Sequence, residues 1–126
     1  MAQRLLDKKT AIDLFVSSPA KRAKKTAGIF AEAYGLDKKQ VEFYEELYLA
    51  PEKVFSAVIS RLNDNAEAVA IFAHNPGITD FANSLTNTRI DDMPTCCIFA
   101  VQVDCKGWNE FEAAKKKFLF VDYPKA

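Results

Sequence analysis

The chain contains a single histidine, His74, and its position makes it the first candidate for chemistry. It follows an uninterrupted apolar stretch, residues 68–73, which is typical of a buried strand covered on both faces in a parallel sheet. The residues 75–77 then end the strand, and a helix is expected to begin near Ile78. His74 is therefore predicted to lie at the carboxyl end of a strand, where open α/β sheets bind ligands. The free N–H groups of the next helix suit an anion such as phosphate.

A second candidate, Arg22, follows a strand in the same way. Residues 12–18 predict a short strand, and Ser18 is suited to capping a helix that has Pro19 at its first position. The first two turns of this helix also carry three lysines, which we interpret as solvated, although the helix dipole disfavours cations there. A guanidinium near the helix start can grip a phosphate bidentately. Because a lone histidine beside a strand is more often structural than catalytic, the functional prediction rests on both motifs together.

The composition excludes several classes of function. A length of 126 residues suits one domain, and 17 basic against 17 acidic residues leave no net charge to attract nucleic acid or an anionic membrane. The first eight residues are charged and have no apolar core, so no signal peptide is predicted. No apolar run approaches membrane-spanning length. We therefore expect a cytoplasmic protein with no nucleic-acid or membrane partner.

The three cysteines, Cys96, Cys97 and Cys105, lack the paired spacing of a zinc site and are interpreted as reduced thiols. At least one of the adjacent pair is expected in the core, where a cysteine behaves as a small hydrophobe. A thiol enzyme that uses Cys96 or Cys97 is the least favoured hypothesis. Its base would have to be His74, which is predicted to follow a different strand.

Hydrophobic spacing predicts alternating strands and helices along the whole chain. The predicted helices span residues 19–34, with Gly35 closing the first as a C-cap residue, and residues 51–62 and 78–85. The predicted strands span residues 12–18, 41–44 as a short edge strand, 68–73, 96–103 and 117–123, and the last two are expected to be adjacent. Residues 1–9 resemble the last turns of an amphipathic helix. The order predicts one α/β domain over residues 1–126, with three layers and a mainly parallel sheet.

Residues 17–27 and 73–77 together resemble the histidine phosphatase superfamily, which has the phosphoglycerate mutase-like fold. The resemblance is greatest to its SixA-type phosphohistidine phosphatases, and residues 47–50 and 92–95 and the final apolar strand fit the same pattern. It implies a phosphatase that needs no metal or cofactor and works through a phosphohistidine intermediate. The implied substrate is a phosphohistidine-containing protein or a small phosphate ester.

The resemblance also implies the roles of individual residues. Arg22 matches the arginine that binds the phosphoryl group, and His74 matches the second histidine, which contacts that group and stabilises charge during transfer. Glu45 lies three residues before Tyr48, where larger members of the superfamily keep a proton donor, but a solvated acidic residue is an equally good interpretation. The weaker phosphate-binding candidates are Ser17, Thr26 and Asn75.

The chain departs from the family pattern at the nucleophile. The family carries it in an Arg-His-Gly or Arg-His-Ala motif on an N-terminal strand at the middle of the sheet, and no such segment occurs here. A strand, loop and helix of that kind would take about forty residues. Two hypotheses follow: a phosphatase domain that is N-terminally truncated and lacks its central strand, or a catalytically inactive phosphate-binding or interaction module. The oligomeric state stays open.

Overall fold

A computed structural model describes residue 3 and residues 11–75, 77–90 and 97–122 of the chain. The described helices are, in chain order, α1 (Lys21–Ala33), α2 (Glu52–Ser60) and α3 (Gly77–Leu85). The strands are β1 (Leu14–Ser17), β2 (Glu42–Phe43), β3 (Val69–Phe72), β4 (Ile98–Asp104) and β5 (Lys115–Asp122). Short 3-10 turns span Lys38–Gln40, Glu45–Leu47 and Trp108–Glu110. Every predicted element that falls within the described residues is present, with ends displaced by a few residues.

The described strands form two sheets. The first has the order β2-β1-β3 with both pairs parallel, and the second is the antiparallel pair of β4 and β5. β1 lies at the centre of the first sheet, so Phe15, Val16 and Ser17 are buried. The parallel sheet between helices confirms the predicted α/β architecture, and β4 and β5 are adjacent as expected.

Two apolar clusters pack on opposite faces of the parallel sheet. Val16 points into a cluster with residues of α2, α3 and the turn at Leu47, including Phe55, Val58 and Phe81. The neighbouring Phe15 points into a second cluster with residues of α1, including Ala27, Phe30 and Ala31. Since successive side chains of a strand point to opposite faces, β1 contributes buried side chains to both halves of the core. The result is a three-layer arrangement with α1 on one face and α2 and α3 on the other.

The ends of α1 are set by local hydrogen bonds. The predicted start at Pro19 is wrong: the helix begins at Lys21, because the Ser18 hydroxyl accepts a hydrogen bond from the Ala20 N–H at 3.1 Å and closes a turn before it. At the other end, Gly35 has φ +80° and donates to Glu32, while Leu36 donates to Ala31. This pair of hydrogen bonds is a Schellman motif, as a glycine after the last turn predicts.

β3 differs from its prediction in one respect. Its side chains pack against the apolar clusters on both faces of the sheet, as predicted for a strand covered on both sides. The expected full burial is wrong, because each of its four apolar residues is only half-buried. Of the predicted N-terminal helix only Gln3 is described, and it is helical; the rest of it, the loop at 92–95, Cys96 and the end of the last strand lie outside the described residues. Within the described part of the chain, no helix has the length and apolarity needed to cross a bilayer.

Candidate functional site

Three parallel strands end side by side at one edge of the sheet. The Ser18 N–H donates to the Phe72 carbonyl at 2.9 Å, which joins the end of β1 to the end of β3. The Tyr44 N–H donates to the Ser17 carbonyl at 3.1 Å, which joins the end of β2 to β1. The segments that carry Arg22, Glu45 and His74 therefore all leave the sheet at this edge.

His74 begins the turn between β3 and α3. Its carbonyl accepts a hydrogen bond from the Ile78 N–H at 3.0 Å, and the buried Thr79 hydroxyl donates to the side-chain oxygen of Asn75. Gly77 is required there, because a Cβ atom at that position would lie 2.0 Å from the Ala50 carbonyl oxygen. The turn is thus held both by its own hydrogen bonds and by the backbone of the segment that precedes α2.

The imidazole of His74 is half-buried, and its Nδ1 atom is buried without a hydrogen-bond partner among the described residues. Buried ring nitrogens normally have a partner, since leaving one unpaired costs about 1 to 3 kcal/mol. This nitrogen is therefore a polar group that the described residues leave unsatisfied, at the edge where the sequence predicts the site.

Arg22 is the second residue of α1 and is exposed. Its helix begins four residues after the end of β1, because the turn closed by Ser18 comes between them. Arg22 therefore lies in the first turn of a helix that begins at the same edge of the sheet as the His74 turn. An arginine and free helix N–H groups at one place favour binding of an oxyanion.

The other predicted site residues differ in their surroundings. Ser17 is fully buried, and its hydroxyl donates to the Ser18 carbonyl at 2.8 Å, so in this conformation it is engaged inside the protein. Thr26 is half-buried in the second turn of α1, Asn75 is exposed, and Glu45 is exposed in the 3-10 turn after β2. The assignment of all three to a site stays a prediction.

Comparison with solved structures identifies the fold. The chain superimposes on the candidate phosphohistidine phosphatase SixA of Nakamurella multipartitia with a TM-score of 0.75 and 22% identity, covering 99% of this chain and 78% of that one. It superimposes on the protein histidine phosphatase SixA in complex with tungstate with a TM-score of 0.80 and 22% identity, covering 98% and 76%. The candidate SixA of Agrobacterium tumefaciens gives a TM-score of 0.76 and 18% identity, covering 98% and 75%. This is the SixA fold.

The SixA fold is recognised here through structure, because no protein-family model matches the sequence and no curated protein matches it. The chain covers about three quarters of each of these SixA structures, so about a quarter of each has no counterpart in it. The predicted fold class and the predicted resemblance are confirmed at the level of the fold.

One of the three lysines that the sequence analysis interprets as solvated, Lys24, makes a contact that was not predicted. The Lys24 ammonium lies 5.6 Å from the centre of the Phe43 ring, which is a cation–π contact between α1 and β2. Nothing in the sequence indicates this contact, because the two residues are far apart along the chain. In the residue that follows Phe43, burial and the hydrogen bond that the hydroxyl donates to Glu42 raise the pKa of Tyr44.

The structure does not support the hypothesis of a thiol enzyme. Cys97 and Cys105 are free and half-buried, as expected of reduced thiols, and Cys96 lies outside the described residues. Burial raises the pKa of the Cys97 thiol, and the Asp122 carboxylate raises it further. A thiol nucleophile needs the opposite shift, since only the thiolate attacks.

An open cavity of about 710 Å³ lies elsewhere among the described residues. It is lined by the start of α2 and by α3 and the residues after it, including Glu52, Asp80 and Arg89. None of the predicted site residues lines it, and it is wide open to solvent. The strand ends, which bring Arg22 and His74 to one edge, are the better candidate for chemistry.

Proposed function

We propose that this chain is the major part of a phosphohistidine phosphatase-type hydrolase, which removes a phosphoryl group from a phosphorylated protein or a small phosphate ester. The observation that carries the proposal is the common edge of β1 and β3, from which the turn to Arg22 and the turn to His74 both leave. The SixA fold supports it, and one SixA structure holds tungstate, an oxyanion that resembles phosphate.

In this proposal Arg22 and His74 share one anion site. The guanidinium of Arg22 binds two oxygens of the phosphoryl group, and the helix N–H groups at the start of α1 add further donors. His74 donates to a third oxygen and stabilises the negative charge that is spread over the equatorial oxygens during transfer. Ser17, Thr26 and Asn75 support these groups rather than react.

The nucleophile is a second histidine in polypeptide outside these 126 residues. Its imidazole attacks phosphorus in line, the bond from phosphorus to the substrate nitrogen or oxygen breaks, and the leaving group departs with a proton. Water then attacks the phosphohistidine, which releases inorganic phosphate and restores the imidazole. Glu45 would supply the proton to a poor leaving group such as an alkoxide, whereas an imidazole leaving group needs less help.

The second candidate function is a catalytically inactive module that binds phosphate or a phosphorylated partner. The observation that favours an inactive module is that His74 is the only histidine in the sequence. Both functions use Arg22 and His74 in the same way, so they differ only in whether a nucleophile reaches the site.

The deciding experiment compares the chain alone with a version that carries an N-terminal strand segment ending in Arg-His-Ala. In the presence of a chelator, the extended version should release phosphate from phosphohistidine and become labelled on histidine in an acid-labile form. The chain alone, and an extended version in which the added histidine is replaced by alanine, should be slower by roughly four to six orders of magnitude. Robust turnover by the chain alone would mean that His74 is itself the nucleophile, and its assignment as the second histidine would be abandoned.

A further inference from the structure

Residues 47–50 fit the family pattern, but none of their side chains belongs to the proposed anion site. The two middle residues, Tyr48 and Leu49, are 55% and 70% exposed. The flanking Leu47 and Ala50 are only 1% and 6% exposed, so the segment is anchored in the core at both ends. Adjoining large apolar residues that stay exposed are a feature of interaction sites. We call Tyr48 and Leu49 the apolar tip.

The backbone of the apolar tip is strained. Among the described residues, Leu49 is the one residue other than glycine with a positive φ, +52°. A bulky residue rarely adopts this left-handed conformation, because its Cβ atom crowds the following carbonyl oxygen. Burial of the leucine does not offset the strain, since the side chain is exposed. Backbone strain that does nothing for packing is concentrated at sites that contact ligands and partners.

The apolar tip lies beside the candidate site, at the carboxyl edge of the sheet, where β1, β2 and β3 end. Its segment follows β2, whose end is joined to the end of β1 by a hydrogen bond. The segment finishes at Ala50, whose carbonyl oxygen lies against Gly77 in the His74 turn. Leu47 packs in the cluster formed with α2 and α3. The tip is therefore on the α2 side of the carboxyl edge.

The α1 side of the same edge is basic. The first five residues of α1 include Lys21, Arg22, Lys24 and Lys25, and its first turn has no acidic residue. All four cations are exposed, and none forms an ion pair with a described residue. Lys24 is held over the Phe43 ring, whereas Lys21 and Lys25 lie one turn apart on the helix face that also carries Arg22. The Cα–Cβ bonds of a helix tilt toward its N-terminus, which here is at the carboxyl edge.

The acidic residues that follow β2 do not neutralise these lysines. The Glu42 carboxylate accepts a hydrogen bond from the Tyr44 hydroxyl, and Glu46 forms an ion pair with Arg61. Glu45 pairs with no cation among the described residues. The cations of α1 are therefore accessible to an anionic partner, which would also offset their repulsion by the helix dipole.

We propose that the carboxyl edge is a two-sided docking surface for a protein partner. The apolar tip contacts an apolar patch of the partner, and Lys21 and Lys25 contact its acidic side chains. The strand ends lie between these two surfaces, so a ligand that reaches both must extend over both faces of the sheet, which a small phosphate ester does not. The acidic contacts speed association, and the apolar contacts prolong the complex.

The proposal defines the partner by its chemistry. Its phosphorylated residue has apolar residues on one side and acidic residues on the other. Only the position of the phosphorylated residue between the two surfaces rests on the proposed function; the two contacts themselves do not.

The test measures binding of synthetic peptides to the full chain by NMR titration in the cold. Each peptide has a non-hydrolysable triazole phosphonate analogue of phosphohistidine at its centre, with leucines on one side and glutamates on the other. Both orders are made, and the tighter-binding peptide is used. In three further peptides, glutamines replace the glutamates, serines replace the leucines, or histidine replaces the analogue. The blocked analogue alone serves as the reference ligand.

The complete peptide should bind about tenfold or more tightly than the analogue alone, because it adds apolar and charged contacts. Leu49→Asn should weaken binding of the complete peptide by about fivefold or more and leave binding of the serine peptide and of the analogue unchanged. Asparagine tolerates a positive φ, so the denaturant midpoint of this variant should stay the same or rise. A residue that only supported the fold would give a lower midpoint.

The double variant Lys21→Gln and Lys25→Gln tests the basic surface. It should weaken binding of the complete peptide by about fivefold at low salt and have little effect in about 1 M salt, where charges are screened within a few ångström. The glutamine peptide should bind the variant and the unaltered chain equally. Lys39→Gln with Lys106→Gln is the matched control, because both lysines are exposed, and they lie before β2 and beside residues 64–67, at the opposite edge of the sheet.

Several outcomes would overturn the docking surface. A peptide that binds no more tightly than the analogue rejects it while leaving the proposed anion site intact. Equal losses in the two double variants would mean that binding follows net charge. A lower midpoint together with weaker binding of the analogue in Leu49→Asn would make Leu49 a structural residue. Signals of the apolar tip that shift with protein concentration alone would mean that a second copy of the chain covers it.

The histidine peptide separates this proposal from the proposed function. If it binds as tightly as the complete peptide, the docking surface stands and the anion site of the proposed function fails. If neither the peptides nor the analogue bind, both are rejected.

Discussion

Arg22 and His74 show how much a residue's place along the chain can indicate about its chemistry. Each follows a parallel strand, and the hydrogen bond between Ser18 and Phe72 brings the ends of those strands together. Arg22 is exposed, whereas His74 is half-buried and its Nδ1 atom has no hydrogen-bond partner among the described residues. The Arg22 side chain is therefore accessible to an anion in solvent. The His74 side chain is instead held in place by the turn that carries it.

We predict that Arg22→Ala weakens binding of tungstate or phosphate by roughly 10- to 100-fold, since a hydrogen bond to a charged group contributes about 1.5 to 3 kcal/mol. The dissociation constant is measured by calorimetric or NMR titration in the cold. Lys39→Ala is the matched control, because it removes one exposed positive charge in the turn that precedes β2, at the opposite edge of the sheet. If both variants weaken binding equally, the anion responds to net charge, and Arg22 does not form a specific site.

The turn from β3 to α3 is positioned by a neighbouring element rather than by its own sequence alone. The backbone before α2 approaches so closely that the Gly77 position has no room for a Cβ atom beside Ala50. Thr79 and Asn75 hold the same turn from within. At the scale of the element, the start of α2 therefore acts as the support for His74.

We predict that Gly77→Ala destabilises the protein by about 1 to 3 kcal/mol, the usual range for overpacking, and also lowers oxyanion affinity by moving the His74 turn. Gly35→Ala is the control: its φ of +80° strains alanine, but no atom lies within 4 Å of the new Cβ. It should cost about 1 to 2 kcal/mol and leave oxyanion affinity unchanged. Denaturant midpoints and tungstate titrations measure the two effects. An unaltered affinity in Gly77→Ala would contradict the support role of the segment at Ala50.

Among the described residues, the core is complete around β1 and incomplete around β3 and β4. β1 is buried between two neighbouring strands. β3 and β4 each have one edge that pairs with no described strand, and their apolar residues stay half-buried. Each backbone group left unpaired in an apolar setting costs about 1 to 3 kcal/mol, and a domain has only about 5 to 15 kcal/mol of net stability. A few such groups are enough to make the isolated chain only marginally stable against unfolding.

We predict that the isolated monomer unfolds with weak or no cooperativity. In calorimetry the van't Hoff enthalpy should fall below the calorimetric enthalpy, because the parts of the core can melt separately. Sedimentation at the same concentration establishes that the sample is monomeric. A sharp transition at high temperature for the monomer would show that the two edges carry no such penalty.

The sequence by itself determined the order of the elements, because hydrophobic spacing and the glycine and proline breaks are local signals. It indicated the short edge strand β2, the hairpin of β4 and β5, and the helix end at Gly35, each from residues close together in the chain. The resemblance carried by Arg22 and His74 also indicated the SixA fold, although no family model matches the sequence.

The tertiary structure decided what depends on distant contacts. The start of α1 at Lys21 instead of Pro19 is a local exception, because it follows from the hydrogen bond that the Ala20 N–H donates to the Ser18 hydroxyl. The half-exposure of β3 could not be read from its four apolar residues, since burial depends on which strands pair with it. The contact of Gly77 with Ala50 and that of Lys24 with Phe43 likewise join residues far apart in sequence. The hydrophobic pattern indicates which faces must be buried. Only packing in three dimensions determines whether each face and each strand edge is covered.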